Sequence, residues 1–470
     1  MGLAHDGPAD LLGLAVPDAR HHVHVLGVTG AGKSTQLCRL CVAESDAGRG
    51  VALFDCQGDL ARAALDRLPR SCGNRLVIVD PAEADAPPVW NPLQADTPEK
   101  AELVAEHVVG VFRRLYAAYW GPRMDDTLRA ACLTLVRREG STLADVVPLL
   151  TDTRFQRRVL REHGEPEGLA GFWDSYNELS PAGRQQACGP IVSRLRGVFT
   201  RRLARDVLAA PRSTFTLSDI LDGGVLIARL PKGELGEDCS RLLGSLLLAG
   251  LWQAATRRAD RKPNERPDAT IIVDECHNFL HLPIGVEDAL AEARGYRVSL
   301  VLAHQHLAQL PADVREAIDA NARNKLYFTV SPTDATRLVR HVAPYFDERD
   351  LARRAAFQIT CRTVHRGGDV APFTVDAVPA SAAIRGRAQE LTAAARARTG
   401  LPREVRDRAR KRRELTMVVG SEALLDKEDQ SLSRSQRRSA RQSPAHPQRA
   451  NDWRTLAQLN PQEDPTEEAS

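Results

Sequence analysis

Residues 27–34 read Gly27-Val28-Thr29-Gly30-Ala31-Gly32-Lys33-Ser34, the pattern G-x-x-x-x-G-K-[ST], with a strand-like apolar run at 22–26 before it and a helix-like run after it. In a chain with 32 glycines the context matters as much as the pattern. A strand, a glycine-rich turn and a helix N-terminus together aim successive backbone N–H groups at one phosphate cluster, and the helix dipole favours its negative charge. Gly27, Thr29, Gly30, Ala31, Gly32, Lys33, Ser34 and Thr35 are therefore the expected nucleotide-binding residues. Lys33 is expected to reach the β- and γ-phosphates, and Ser34 to offer its hydroxyl to Mg²⁺, so ATP and Mg²⁺ are the expected ligands.

The 470 residues allow two or three domains, and 43% apolar with 27% charged residues is the composition of a folded protein. Strand-like runs at 22–28, 51–55 and 75–80 alternate with helical periodicity, an α/β pattern. From Pro98 to about Ala210 the strand signals disappear and apolar residues recur three and four apart. Strand-like runs return at 225–230, 270–274, 298–303 and 326–330. The expected organisation is one mainly parallel α/β core in two parts, 1–97 and 216–380, split by an all-helical insertion at 98–215. Residues 381–470 carry 18 basic and 13 acidic residues, a net of +5 against +3 for the whole chain, which leaves the remainder near neutral at −2. Their composition reads as a basic, largely disordered tail.

The run Ile271-Ile272-Val273-Asp274-Glu275 is an apolar strand ending in two carboxylates, which emerge at the edge where ligands bind in open α/β sheets. Asp274 is placed to hold Mg²⁺ and Glu275 to act as general base toward water, although both residues also suit a helix N-terminus. Leu300-Val301-Leu302-Ala303-His304-Gln305 ends likewise in a polar group, and Gln305 is expected to meet the γ-phosphate or the attacking water.

Nine cysteines at irregular positions, with no secretory signal ahead of them, read as reduced thiols of a cytosolic protein. Cys38 and Cys41 lie one turn apart without a second pair, which favours packing over a metal site. The longest apolar run, 242–252, is too short to cross a bilayer. A soluble, cytoplasmic chain is expected, with a partner as its route to a membrane.

Taken together, the phosphate loop, Leu53-Phe54-Asp55-Cys56-Gln57-Gly58-Asp59-Leu60, Trp120-Gly121-Pro122-Arg123, the Asp274-Glu275 strand and Ala303-His304-Gln305-His306-Leu307-Ala308-Gln309-Leu310 resemble the FtsK/HerA superfamily, and within it the conjugative coupling proteins of type IV secretion. Asn321-Ala322-Arg323 and Ser331-Pro332-Thr333-Asp334-Ala335 resemble the flanks of that group's last core strand. The resemblance runs from about His21 to Asp376. It implies a RecA-like core, a homo-hexameric ring and ATP-driven movement of DNA without sequence preference. It also implies a secretion-channel, relaxase or nuclease partner. Arg294 falls where these proteins carry an arginine that reaches a neighbour's site, with Arg123 and Arg297 as reserves; a surface arginine is the plainer reading. Cys56 and Gln57 depart from the commoner residues of the D-x-x-G-D turn formed by Asp55, Gly58 and Asp59. Only 26 residues precede Gly27, so the transmembrane anchor of membrane-bound coupling proteins is not expected.

Two arginine clusters are candidates for phosphate contact: Arg194, Arg196, Arg201, Arg202 and Arg205 in the insertion, and Arg406, Arg408, Arg410, Lys411, Arg412 and Arg413 in the tail. A solvated face in the first case and a protein-docking segment in the second fit equally well. Two other functions stay open at this point. One is a secretion-traffic ATPase acting on protein or pilus; the other is a nucleotide-gated adaptor, which a Glu275 in the general-base position argues against.

Overall fold

The structure is a computed structural model that describes residues 2–4, 11–95 and 97–419. Among the described residues eleven strands form one mixed sheet: β1 Gly2–Ala4, β2 Leu11–Leu12, β3 Val23–Leu26, β4 Gly50–Asp55, β5 Leu76–Val79, β6 Val225–Arg229, β7 Ala269–Val273, β8 Val298–His304, β9 Asn324–Tyr327 and β10 Gln358–Arg362, followed, after a small hairpin of β11 Val364–His365 and β12 Gly368–Asp369, by β13 Phe373–Ala377. Their spatial order is β2-β1-β13-β10-β9-β3-β8-β7-β4-β6-β5. From β9 to β5 every neighbouring pair is parallel, and from β9 through β10, β13 and β1 to β2 every pair is antiparallel. The seven expected strand runs are all strands of the parallel part, while the antiparallel edge was not anticipated.

Burial explains why the parallel strands carry continuous apolar runs. Every residue of β3, β4, β5, β6, β7 and β8 is buried, as a sheet covered on both faces requires. Alternate residues still serve different cores. Val51, Leu53, Ile227, Ile272 and Val301 pack on the face that carries the helices Lys33–Asp46 and Asp59–Leu65. Ala52, Phe54, Leu226, Val273 and Leu302 pack on the other face, against the helices Pro98–Leu115, Pro122–Val136, Pro181–Phe199 and Glu237–Thr256. The helices Pro98–Leu115, Pro122–Val136 and Pro181–Phe199 therefore share their core with one face of the sheet. The helix Glu237–Thr256 contains the apolar run 242–252; among the described residues no helix is long and apolar enough to cross a membrane. All nine cysteines are free and buried.

Within the tail expected from Ser381, the described part up to Val419 is largely helical. Arg387–Thr399 and Arg403–Val419 are helices. Leu391 and Ala395, four residues apart on one face, enter the sheet's core beside Cys72, Leu76 and Ile78. Leu401 packs with Val89 and Ala210, and Arg406, only 8% exposed, is ion-paired with Asp206. Arg396 pairs with Glu83, and Arg410 with Asp407. A short apolar stripe outweighs the basic composition that suggested disorder, and part of the basic run is spent on pairing within the chain. Residues 420–470 lie outside the described residues.

Candidate functional site

The end of β3, the loop after it and the helix Lys33–Asp46 form the centre of the site. Gly30 and Gly32 have φ of 80° and 113°, conformations that glycine alone adopts freely. At Gly27 a β-carbon would come within 2.5 Å of the Phe328 side chain, so the loop passes too close to β9's continuation for any larger residue. Lys33 is buried and donates from Nζ to the carbonyls of Gly27, at 2.5 Å, and Val28, at 3.2 Å. Burial lowers its pKa, opposed by the charges of Glu275 and Asp274. Thr29, Gly30 and Ser34 are exposed, Ala31 is buried, and Thr35 is half-buried in the first helical turn.

The sheet order explains how the two later motifs reach this loop. β8 lies between β3 and β7, so it is β8, which ends beside Gln305, that separates the phosphate-loop strand from the carboxylate strand. Beyond the end of β7, Asp274 is fixed by its N–H to the Phe54 carbonyl at 3.0 Å, and Glu275 takes a left-handed backbone with φ of 49°. Burial, then the charges of Glu275 and Asp55, push the Asp274 carboxyl up to about 7 against the pull of Lys33. Glu275 is 4% exposed. Its Oε1 accepts from Gln305 Nε2 at 2.6 Å, and Gln305 Oε1 accepts in turn from Thr29 Oγ1 at 2.9 Å. Its Oε2 has no hydrogen-bond partner and lies 3.7 Å from His277 Nδ1. Thr29, Gln305 and Glu275 thus link three separate elements into one chain of hydrogen bonds beside Lys33 and Asp274.

Asp55 lies close enough for its charge to act on Asp274, but its oxygens are held by its own turn. Its Oδ1 accepts from the N–H groups of Gln57 and Gly58, both at 2.8 Å, and its Oδ2 from Ala61 at 2.9 Å, so it shapes the turn into the helix Asp59–Leu65. Arg294 follows the helix Val286–Ala293, exposed and close enough to His21 to help lower that group's pKa after burial. His21 precedes β3, so Arg294 stands at the edge of the sheet opposite the phosphate loop. Arg297 stands at that same edge, ahead of β8, donating to the Arg266 carbonyl. Arg123 opens the helix Pro122–Val136 and is hydrogen-bonded to Gln186. Within one chain none of these arginines joins the phosphate loop.

Sequence reasoning missed three residues. Arg229, 1% exposed at the end of β6, pairs with Asp80 at 2.7 Å and with Glu234, and lies against Gly58. A charge closing the run Val225-Leu226-Ile227-Ala228 was the available signal. His277 borders the free Glu275 oxygen. Phe357 lies against the phosphate loop from the antiparallel edge, which no periodicity announced. Among the described residues no group of three or more His, Cys, Asp or Glu is arranged to hold a metal ion. Mg²⁺ at this site would draw on a hydroxyl, one carboxylate and phosphate oxygens, as that ion commonly does.

Comparison with known proteins bears on the fold that carries this geometry. A family model described as the TraM recognition site of TraD and TraG matches residues 268–342, from the start of β7 past the helix Pro332–Leu338 that follows β9. The plasmid coupling protein TrwB in complex with the non-hydrolysable ATP analogue ADPNP has a TM-score of 0.56 at 17% identity, covering 78% of this chain and 87% of that one. TrwB in complex with ADP and Mg²⁺ has a TM-score of 0.55 at 16% identity, covering 79% and 88%. VirB4 of Thermoanaerobacter pseudethanolicus has a TM-score of 0.57 at 15% identity, covering 81% and 96%. No curated protein sequence matches the chain. The chain thus has the fold of the coupling protein TrwB and of VirB4, and the resemblance first read from its motifs recurs in the family match.

Proposed function

We propose that this chain is a Mg²⁺- and ATP-dependent motor of the conjugative coupling type, which hydrolyses ATP at sites shared between subunits of a ring and moves DNA. The observation that carries the proposal is the convergence of Lys33, Asp274, Glu275 and Gln305 at one sheet edge, with a free Glu275 oxygen. The site fits its ligands. Gly30 and Gly32 leave a cradle without side chains, Asp274 is a buried carboxyl in want of a cation, and Lys33 donates only to carbonyls that phosphate oxygens would replace. Mg²⁺, when bound, neutralises charge on the β- and γ-phosphate oxygens. Ser34 and Asp274 would hold it, with Thr35 at the mouth of the loop.

Glu275 is held by Gln305 through one oxygen and keeps the other for the proton of the attacking water, the role of a general base. Gln305 also binds Thr29, so the base is positioned relative to the phosphate loop itself. Arg294, remote from its own loop, is free to serve a neighbour's, where a cation stabilises charge growing on the γ-phosphoryl group.

Two substitutions separate binding from chemistry. Lys33→Ala loses both ATP affinity and turnover, whereas Glu275→Gln keeps affinity and loses turnover by about 10²–10⁴-fold. Wild-type turnover in Glu275→Gln would end the assignment of the base. A likeness to VirB4 on a par with that to TrwB favours one second reading, an ATPase of secretion traffic acting on protein or pilus; turnover indifferent to DNA would support it.

A further inference from the structure

Phe357 is a large apolar side chain left 47% exposed, and its place in the chain is peculiar. Its φ is 67°, a left-handed conformation that a bulky residue adopts only when its surroundings hold it there. They do so from both sides. The Phe357 N–H donates to the carbonyl of Ala31 in the phosphate loop at 2.9 Å, and its own carbonyl accepts from Ala377 of β13 at 2.7 Å. One side of the ring lies against Gly32, where an added β-carbon would come within 2.8 Å of the ring's Cδ1. Nearly half of the residue's surface stays open to solvent.

The sheet tells which part of a bound nucleotide meets this ring. Glu275 and Gln305 reach the loop from the β7 and β8 side of β3, which fixes that side for the γ-phosphate. Phe357 immediately precedes β10, which runs antiparallel to β9, so it stands at the same edge of the sheet on the opposite side of β3. The nucleoside leaves the loop on the side away from the γ-phosphate, toward Phe357. We infer that Phe357 is the stacking platform for the base of the bound nucleotide. A ring face recognises any purine by its π surface, without selecting among hydrogen-bonding edges. The inference rests on the reading of the loop as a triphosphate site.

The test compares Mg²⁺-ATP with Mg²⁺-inorganic triphosphate by titration calorimetry on the full chain. Phe357→Ala is expected to weaken ATP about tenfold, within the range that base stacking on an aromatic ring supplies, and to leave triphosphate affinity unchanged. Phe357→Leu keeps an apolar body over Gly32 but no π face and is expected to behave alike, whereas Phe357→Trp retains ATP affinity. Equal weakening of ATP and triphosphate in Phe357→Leu would make the ring a support for the loop, and unchanged ATP affinity in both truncations would remove it from the site; either result overturns the inference. If the unaltered chain binds neither ligand, the reading of the loop falls first, and this inference with it.

Discussion

Glu275 combines a left-handed backbone, near-complete burial and one oxygen without a partner, three features that each cost free energy in the absence of ligand. The hydrogen bond from Gln305 is what holds this carboxylate in place, and Thr29 holds Gln305. Gln305→Ala is therefore expected to lower kcat about 10–100-fold while KM changes little, if Glu275 is the base proposed above, because its carboxylate loses orientation and the phosphates lose no charge partner. Steady-state kinetics check this; a raised KM at unchanged kcat would contradict it. Asp55 makes the opposite case. It was legible as part of a motif, but three backbone N–H groups occupy its oxygens, so its work is structural. Asp55→Ala is expected to destabilise the fold by roughly 2–4 kcal/mol, seen in chemical denaturation, since buried donors lose their acceptor. A stability unchanged within error would mean that the turn does not depend on it.

At the scale of elements, the parallel strands were readable because burial on both faces forces unbroken apolar runs such as Ala269–Val273, and the carboxylates at their ends mark the ligand edge. The antiparallel edge was not readable. β10 and β13 mix polar and apolar residues, and only three residues in each are buried. Phe357, placed by that edge, went unseen for the same reason. The helix Arg387–Thr399 escaped because its anchor is a stripe of small side chains around Leu391 within basic surroundings. Docking of that helix has a direct consequence: Leu391→Ala is expected to destabilise by about 2–4 kcal/mol, as a cavity beside Cys72 and Ile78 would. Arg408→Ala, at an exposed position on the following helix, is expected to shift stability by less than about 0.5 kcal/mol. Equal effects of the two in thermal unfolding would contradict the docking of Arg387–Thr399.

For the whole molecule, burial lowers the pKa of His22, His107, His281 and His304 to about 4 each. In the unfolded chain these groups titrate near 6.5, so the unfolded state binds more protons between about pH 6.5 and 4. Their contribution to stability is complete above about pH 6.5 and is lost as the pH falls toward 4. Asp274, raised to about 7, works in the opposite direction, while His24, held well below its ordinary value by burial, adds to the four. The urea midpoint is expected to fall steadily from pH 6.5 to 4.5, and a level or rising midpoint would contradict the burial of these histidines. Assembly is tested by mixing. If Arg294 serves a neighbour, Arg294→Ala and Glu275→Gln subunits, each nearly inactive alone, regain some ATPase activity in mixed rings verified by native mass spectrometry, because some interfaces then pair an intact Arg294 with an intact Glu275. Mixed rings no more active than either parent would transfer the role to Arg123 or Arg297. The central claim is that this constellation powers movement along DNA. Its most direct measurement is the rate of ATP turnover at saturating ATP and Mg²⁺, taken without DNA and with single- or double-stranded DNA of unrelated sequences. The rate is expected to rise with DNA whatever its sequence and to fall back as salt displaces the phosphate contacts; turnover that is the same with and without DNA at every salt concentration would rule out a DNA-driven motor.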